Sequence, residues 1–106
     1  MTYRIEFTSQ ALADLDRLSD FTLERELARE GGDLDLPRRP LAAIRIGLRL
    51  LEWTPFTCRK AAESPFLREL VIPFGSTGYV ALFEVEDASR VWILAVRHQL
   101  EDDYLD

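Results

Sequence analysis

His98 is the one histidine of this 106-residue sequence, and its ring is the side chain suited to proton transfer near neutral pH; Cys58 is the one cysteine. His98 closes an apolar run and is followed by Gln99. A general base is one reading of it; a hydrogen-bonded residue anchoring the tail is the simpler one. One histidine and one cysteine far apart in sequence do not make a metal's first shell, and a lone cysteine excludes an internal disulfide or a multi-cysteine zinc or iron-sulfur site. No metal or other cofactor is therefore expected. Gly75-Ser76-Thr77-Gly78 lacks the lysine and the helix of a phosphate-cradling loop and reads as a turn.

The cations are more informative. Residues 37–60 carry six Arg/Lys against Glu52 alone, a net +5, between flanks of −5 (residues 1–36) and −6 (residues 61–106), for −6 overall. A basic block between acidic flanks attracts an acidic partner to one place while the whole molecule repels nucleic acid. Direct nucleic-acid binding is thus not expected. The plain alternative is a solvated, arginine-rich helix face. Nearby, Trp53, Phe56 and Phe66 bracket a loop, either as a protruding contact for another protein or as the closed edge of a core.

Several elements must position these groups. Tyr3, Ile5 and Phe7 alternate with Arg4 and Glu6, the period of a half-buried strand. Thr8 and Ser9 offer N-caps to a long helix carrying Ala11, Leu12, Leu15 and Leu18, running on through Leu23 and Leu27 to a stop at Gly31-Gly32. Pro37 and Pro40 frame the entry to a second helix, which is expected to end near Pro55. That helix carries two apolar stripes, Leu41-Ile44-Leu48-Leu51 and Ala43-Ile46-Leu50-Trp53, and so needs two neighbours. Leu67 to Phe74, Tyr79 to Val85 and Val91 to Arg97 read as three strands of an antiparallel meander.

The order strand-helix-helix-strand-strand-strand predicts an α+β fold, a small antiparallel-rich sheet with a helical hairpin on one face. Simple alternation places Val91, Ile93, Ala95 and Arg97 on one side of the last strand and predicts that Arg97 holds Glu69 or a tail carboxylate. The second face of the sheet is also apolar, and with one helical layer available it is either capped by the loops and tail or, the leading expectation, open for a partner. One domain over residues 1–106 is expected, with no signal peptide or membrane span, in a reducing cytoplasm.

The C-terminal text is more specific. Arg68-Glu69-Leu70-Val71-Ile72-Pro73-Phe74-Gly75, then Gly78 to Phe83, then Ile93 to Gln99 with Tyr104 downstream, resembles the ParE-like toxins of the RelE/ParE superfamily. Phe7-Thr8, Ala13 to Asp16, Pro55 and Arg59 extend the likeness over nearly the whole chain, the acidic loop from Gly31 to Leu36 excepted. The resemblance implies a toxin of a type II toxin-antitoxin pair, wrapped by the C-terminal segment of a cognate antitoxin. Arg45, Ile46, Arg49, Leu50, Trp53, Arg59, Lys60, Arg68 and Arg97 are the expected partner-binding residues.

Within the superfamily, RelE-like chains are similar in fold and cut messenger RNA on the ribosome, whereas ParE-like chains poison DNA gyrase. Attack by a 2′-hydroxyl needs a base, an acid and cations at the phosphate. The set on offer is Arg97, His98 and Tyr104, with Arg68 or Arg59 as clamps. Gly75-Ser76-Thr77 and Val80 stand where RelE-like nucleases resemble one another in carrying basic groups, and Glu101, Asp102 and Asp103 would repel RNA. Gyrase inhibition by binding is therefore the leading expectation. The nuclease is second, and a non-toxic scaffolding homologue is third.

Overall fold

The structure, a computed structural model, describes the backbone of residues 2–28, 38–75 and 77–99 and the side chains of 2–20, 40–75 and 77–99. In chain order the elements are β1 (Arg4–Phe7), α1 (Ser9–Ala28), α2 (Arg38–Arg49), 3-10 turns at Leu50–Glu52 and Pro55–Thr57, β2 (Arg59–Lys60), β3 (Leu67–Phe74), β4 (Thr77–Val85) and β5 (Arg90–His98). They form an α+β fold. The sheet order is β1-β5-β4-β3-β2, with β1 parallel to β5 and the other neighbours antiparallel.

The expected hairpin of helices lies on one face of the sheet, α1 against β5 and α2 against β3. Thr8 caps α1: its Oγ1 accepts the Ala11 amide at 3.1 Å, satisfying one of the amides a helix start leaves without a partner. From α2, Ile44 and Leu48 enter the core together with Leu51, and they meet Ala11, Leu18, Leu70, Ile72, Tyr79, Ala81, Phe83, Val85, Val91, Ile93 and Val96. Gly47 allows the close approach of α2 to β3, because a Cβ there would lie 2.9 Å from Ile72 Cγ1. Gly31, Gly32 and Pro37, read as helix boundaries, lie outside the described residues.

Four details differ from the sequence reading. First, α2 gives way at Leu50 to a tighter 3-10 turn, closed by the Trp53 amide on the Leu50 carbonyl at 3.1 Å, so the regular helix stops before Pro55. Second, β2 is an additional strand of two exposed residues, too short to show a period. Third, Thr77 and Gly78 belong to β4, and the hairpin turns on Gly75, whose φ of +61° suits glycine.

The fourth is a β-bulge. Leu82 pairs with Ala95 but Phe83 with Ile93, so Leu94 is an extra residue in β5. Beyond it every side chain changes face. Val91, Ile93, Val96 and His98 therefore point to the helices, while Ala95 and Arg97 point away, contrary to simple alternation. Glu69 accepts instead from Arg59, at 3.0 Å, and the tail carboxylates that were the other expected partners of Arg97 lie outside the described residues.

The bulge also shapes the outer edge of β5. β1 pairs with it only as far as Phe7 and Ile93. Past that point α1 and its cap supply the partners: Thr8 Oγ1 donates to the Ile93 and Leu94 carbonyls, the former also taking the Thr8 amide, Asp14 Oδ2 accepts the Val96 amide, and Arg17 Nη2 donates to the Val96 carbonyl. Buried main-chain groups left bare would be costly, and helix side chains here do the work of a strand.

The expectation of an open second sheet face is corrected at its centre. Val80 and Ala95 lie on that face with only 3% and 5% of their surface exposed, whereas Val71 at its rim is 41% exposed. No helix among the described residues is long and apolar enough to cross a membrane.

Candidate protein-binding surface

The stripe of α2 that does not enter the core stays in water. Ile46, Leu50 and Trp53 are 67%, 59% and 66% exposed. At a helical rise they form a crest about 10 Å long. Large side chains lined up this way on one face, rather than scattered singly, make it a candidate interaction surface.

Apolar depressions adjoin the crest. A groove of about 480 Å³ runs between α1, α2 and β1, floored by Ile5, Phe7, Leu12, Leu15, Leu41, Ile44 and Leu48, with Asp16, Arg45, Arg49 and Glu52 as its polar lining. A second depression, of about 330 Å³, runs from Leu50 past Cys58 to Leu70 and Val71, with Arg59 and Glu69 on its wall. Leu12, which helical spacing groups with Ala11, Leu15 and Leu18, is 52% exposed. The signal was there: Leu12 and Leu15 are followed by Asp16, a polar edge to the apolar face. Val71 carried no such mark.

The expected cations divide into two groups. Arg45, Arg49 and Lys60 are exposed and form no ion pair among the described residues. Arg59 is neutralised by Glu69. Arg68 is engaged within its own loop, where Nε donates to the Pro65 carbonyl at 2.7 Å and Nη1 to those of Phe56 and Cys58 at 3.1 and 2.6 Å. Its guanidinium also sits 5.1 Å from the centre of the Phe56 ring. Burial raises the Cys58 thiol above its ordinary pKa, although the Arg68 charge pulls the other way.

The residues considered for RNA cleavage are not gathered. Arg68 is in register with Phe83 and His98 with Tyr79, four residues apart on β4, or about 13 Å along a strand. Arg97 leaves the opposite face of β5 from His98, and its Nη1 approaches the His98 carbonyl at 3.4 Å. His98 is 7% exposed, packs edge-on against Tyr79 with ring centres 5.3 Å apart, and places Nε2 3.2 Å from Thr77 Oγ1. Those contacts suit an anchoring residue. Tyr104 lies outside the described residues. Among the described residues no three His, Cys, Asp or Glu side chains converge as metal ligands.

Comparison with known proteins adds two findings. The sequence model of the family described as "ParE toxin of type II toxin-antitoxin system, parDE" matches residues 5–103. Among solved structures, one described as "Chromosomal ParDE TA system from P. aeruginosa" superposes with a TM-score of 0.70 over 92% of this chain and 96% of that one, at 20% sequence identity. At that identity the likeness is one of fold. No curated protein sequence matches the chain.

Proposed function

The chain belongs to the ParE toxin family of type II toxin-antitoxin systems, and from that premise we propose that it inhibits DNA gyrase by protein binding in the cytoplasm and is silenced by a cognate antitoxin. The observation that carries the antitoxin half is the crest of Ile46, Leu50 and Trp53 beside Arg45 and Arg49, cations with no ion-pair partner among the described residues. An amphipathic segment bearing carboxylates would cover the crest, fill the groove between α1 and α2, and neutralise both arginines. The solved relative is described as a ParDE system, and a ParD-like partner is what this reading expects.

The gyrase half rests on the family and on the separation of Arg68 from His98, which favours a binding poison over a nuclease. Two experiments test the reading. Co-expression with the product of the neighbouring reading frame should give a stable complex on size exclusion, lost in Ile46→Asp/Leu50→Asp; a variant that binds as well as wild type would count against the crest. Purified chain added in excess to gyrase should block supercoiling. Unchanged supercoiling, together with cleavage of ribosome-bound message, would replace this function with the nuclease.

A further inference from the structure

We propose that the loop carrying Phe56 and Phe66 is the surface by which this chain grips the protein it poisons, and that it is distinct from the α2 crest. This rests on the reading above that the chain acts on a protein target. Phe56 and Phe66 are 44% and 51% exposed, and their rings meet edge to face at 6.2 Å and 72°. Loops with half-bare aromatic rings are ordinarily soft; this one is stapled. Arg68 binds three carbonyls of the segment, the Phe66 amide donates to Ser64 Oγ at 3.2 Å, and the Val85 amide donates to the Phe66 carbonyl at 2.8 Å. The rings are therefore held ready, and a partner engages them with little ordering cost.

Charge says what the partner offers. Lys60 stands in register with Arg68 across β2 and β3, and neither has a carboxylate at ion-pair distance among the described residues. Exposed Lys60, with the positive Arg68 guanidinium bound into the loop behind it, gives the aromatic pair a positive margin, which fits a folded protein with an apolar pocket rimmed by Asp or Glu. A second copy of this chain would bring like charges together. An amphipathic segment that folds on binding needs a groove, which the crest and its flanks provide, whereas a rigid projection needs a preformed hollow. Trp53, 66% exposed and three residues before Phe56, joins the two surfaces. An antitoxin seated on the crest would reach the margin of the aromatic pair and exclude the target.

The test is the full chain carrying Phe56→Ser/Phe66→Ser, assayed for growth arrest on induction and for binding to the co-expressed antitoxin. Growth arrest should fall on the order of 100-fold in potency, while antitoxin affinity stays within about threefold of wild type. Lys60→Glu, a surface change expected to leave the fold intact, should also weaken arrest; it decides the matter if the double variant fails to fold. Wild-type arrest in both variants overturns the proposal. So does loss of antitoxin binding by a folded Phe56→Ser/Phe66→Ser chain, or a wild-type chain that never arrests growth. Arrest without any effect on gyrase removes gyrase as the target and leaves the loop to be judged by the arrest itself.

Discussion

Asp14 on α1 accepts the main-chain amide of Val96 on β5 at 2.9 Å, across 82 positions of sequence. The same carboxylate takes Gln10 Nε2 at 2.9 Å and lies 3.6 Å from Arg17 Nη2, while Arg17 donates to the Val96 carbonyl. Both main-chain groups of the residue that follows the bulge region thus end on one helix. A carboxylate only 7% exposed is tolerated because donors surround it.

Removing that carboxylate by Asp14→Ala leaves a buried amide without an acceptor. The expected loss is about 1–3 kcal/mol of folding stability, or about 4–8 °C in Tm for each kcal/mol in a domain of this size. Thermal unfolding followed by circular dichroism checks it, and a midpoint equal to that of wild type would show that the bond contributes nothing.

His98→Gln tests whether the histidine anchors or catalyses. Loss of the edge-on Tyr79 contact and of the Thr77 hydrogen bond should lower stability by about 1–2 kcal/mol. Growth arrest should persist at close to wild-type potency. Abolished arrest in a variant that still folds would return His98 to the chemistry.

Arg45→Glu/Arg49→Glu replaces two exposed cations on the groove and should leave the fold intact. Antitoxin association is expected to slow by about tenfold or more at low salt, with the difference shrinking as salt is raised. Stopped-flow association at two ionic strengths measures this. Equal rates for the variant and wild type would remove these arginines from the interface.

Cys58 should be a sluggish thiol. Its pKa is raised by burial against the weaker pull of Arg68, and the thiolate is the nucleophile. Alkylation by iodoacetamide near pH 8 should therefore be slower than for a free cysteine, climbing only as pH passes above the ordinary thiol range. Unfolding in denaturant removes the burial and should restore the rate of a free cysteine; an equal rate in the folded chain would contradict the assignment.

The order of elements and the surplus stripe on α2 were legible because both are local. A period of two marked β1 and the meander, and Ile46, Leu50 and Trp53 are placed by helical spacing whatever packs nearby. The basic block over residues 37–60 is likewise a count along the chain. The face of Arg97 was not legible: one extra residue at Leu94 inverts all that follows, and nothing in Val91 to His98 breaks the alternation. Arg68 and His98 looked like members of one set because sequence carries no distance.

What the sequence alone determined is therefore the repertoire: an α+β chain, two helices before a meander, a helix greasy on both sides, and cations gathered in its middle. Tertiary structure decided which of these are free to act. It buried Val80 and Ala95, left Leu12 half bare, tied Arg68 to three carbonyls, and kept Arg45 and Arg49 unpaired among the described residues. The reason is physical. Patterning depends on neighbours three or four positions away, but exposure and pairing depend on contacts such as Asp14 with Val96, formed only when distant segments meet.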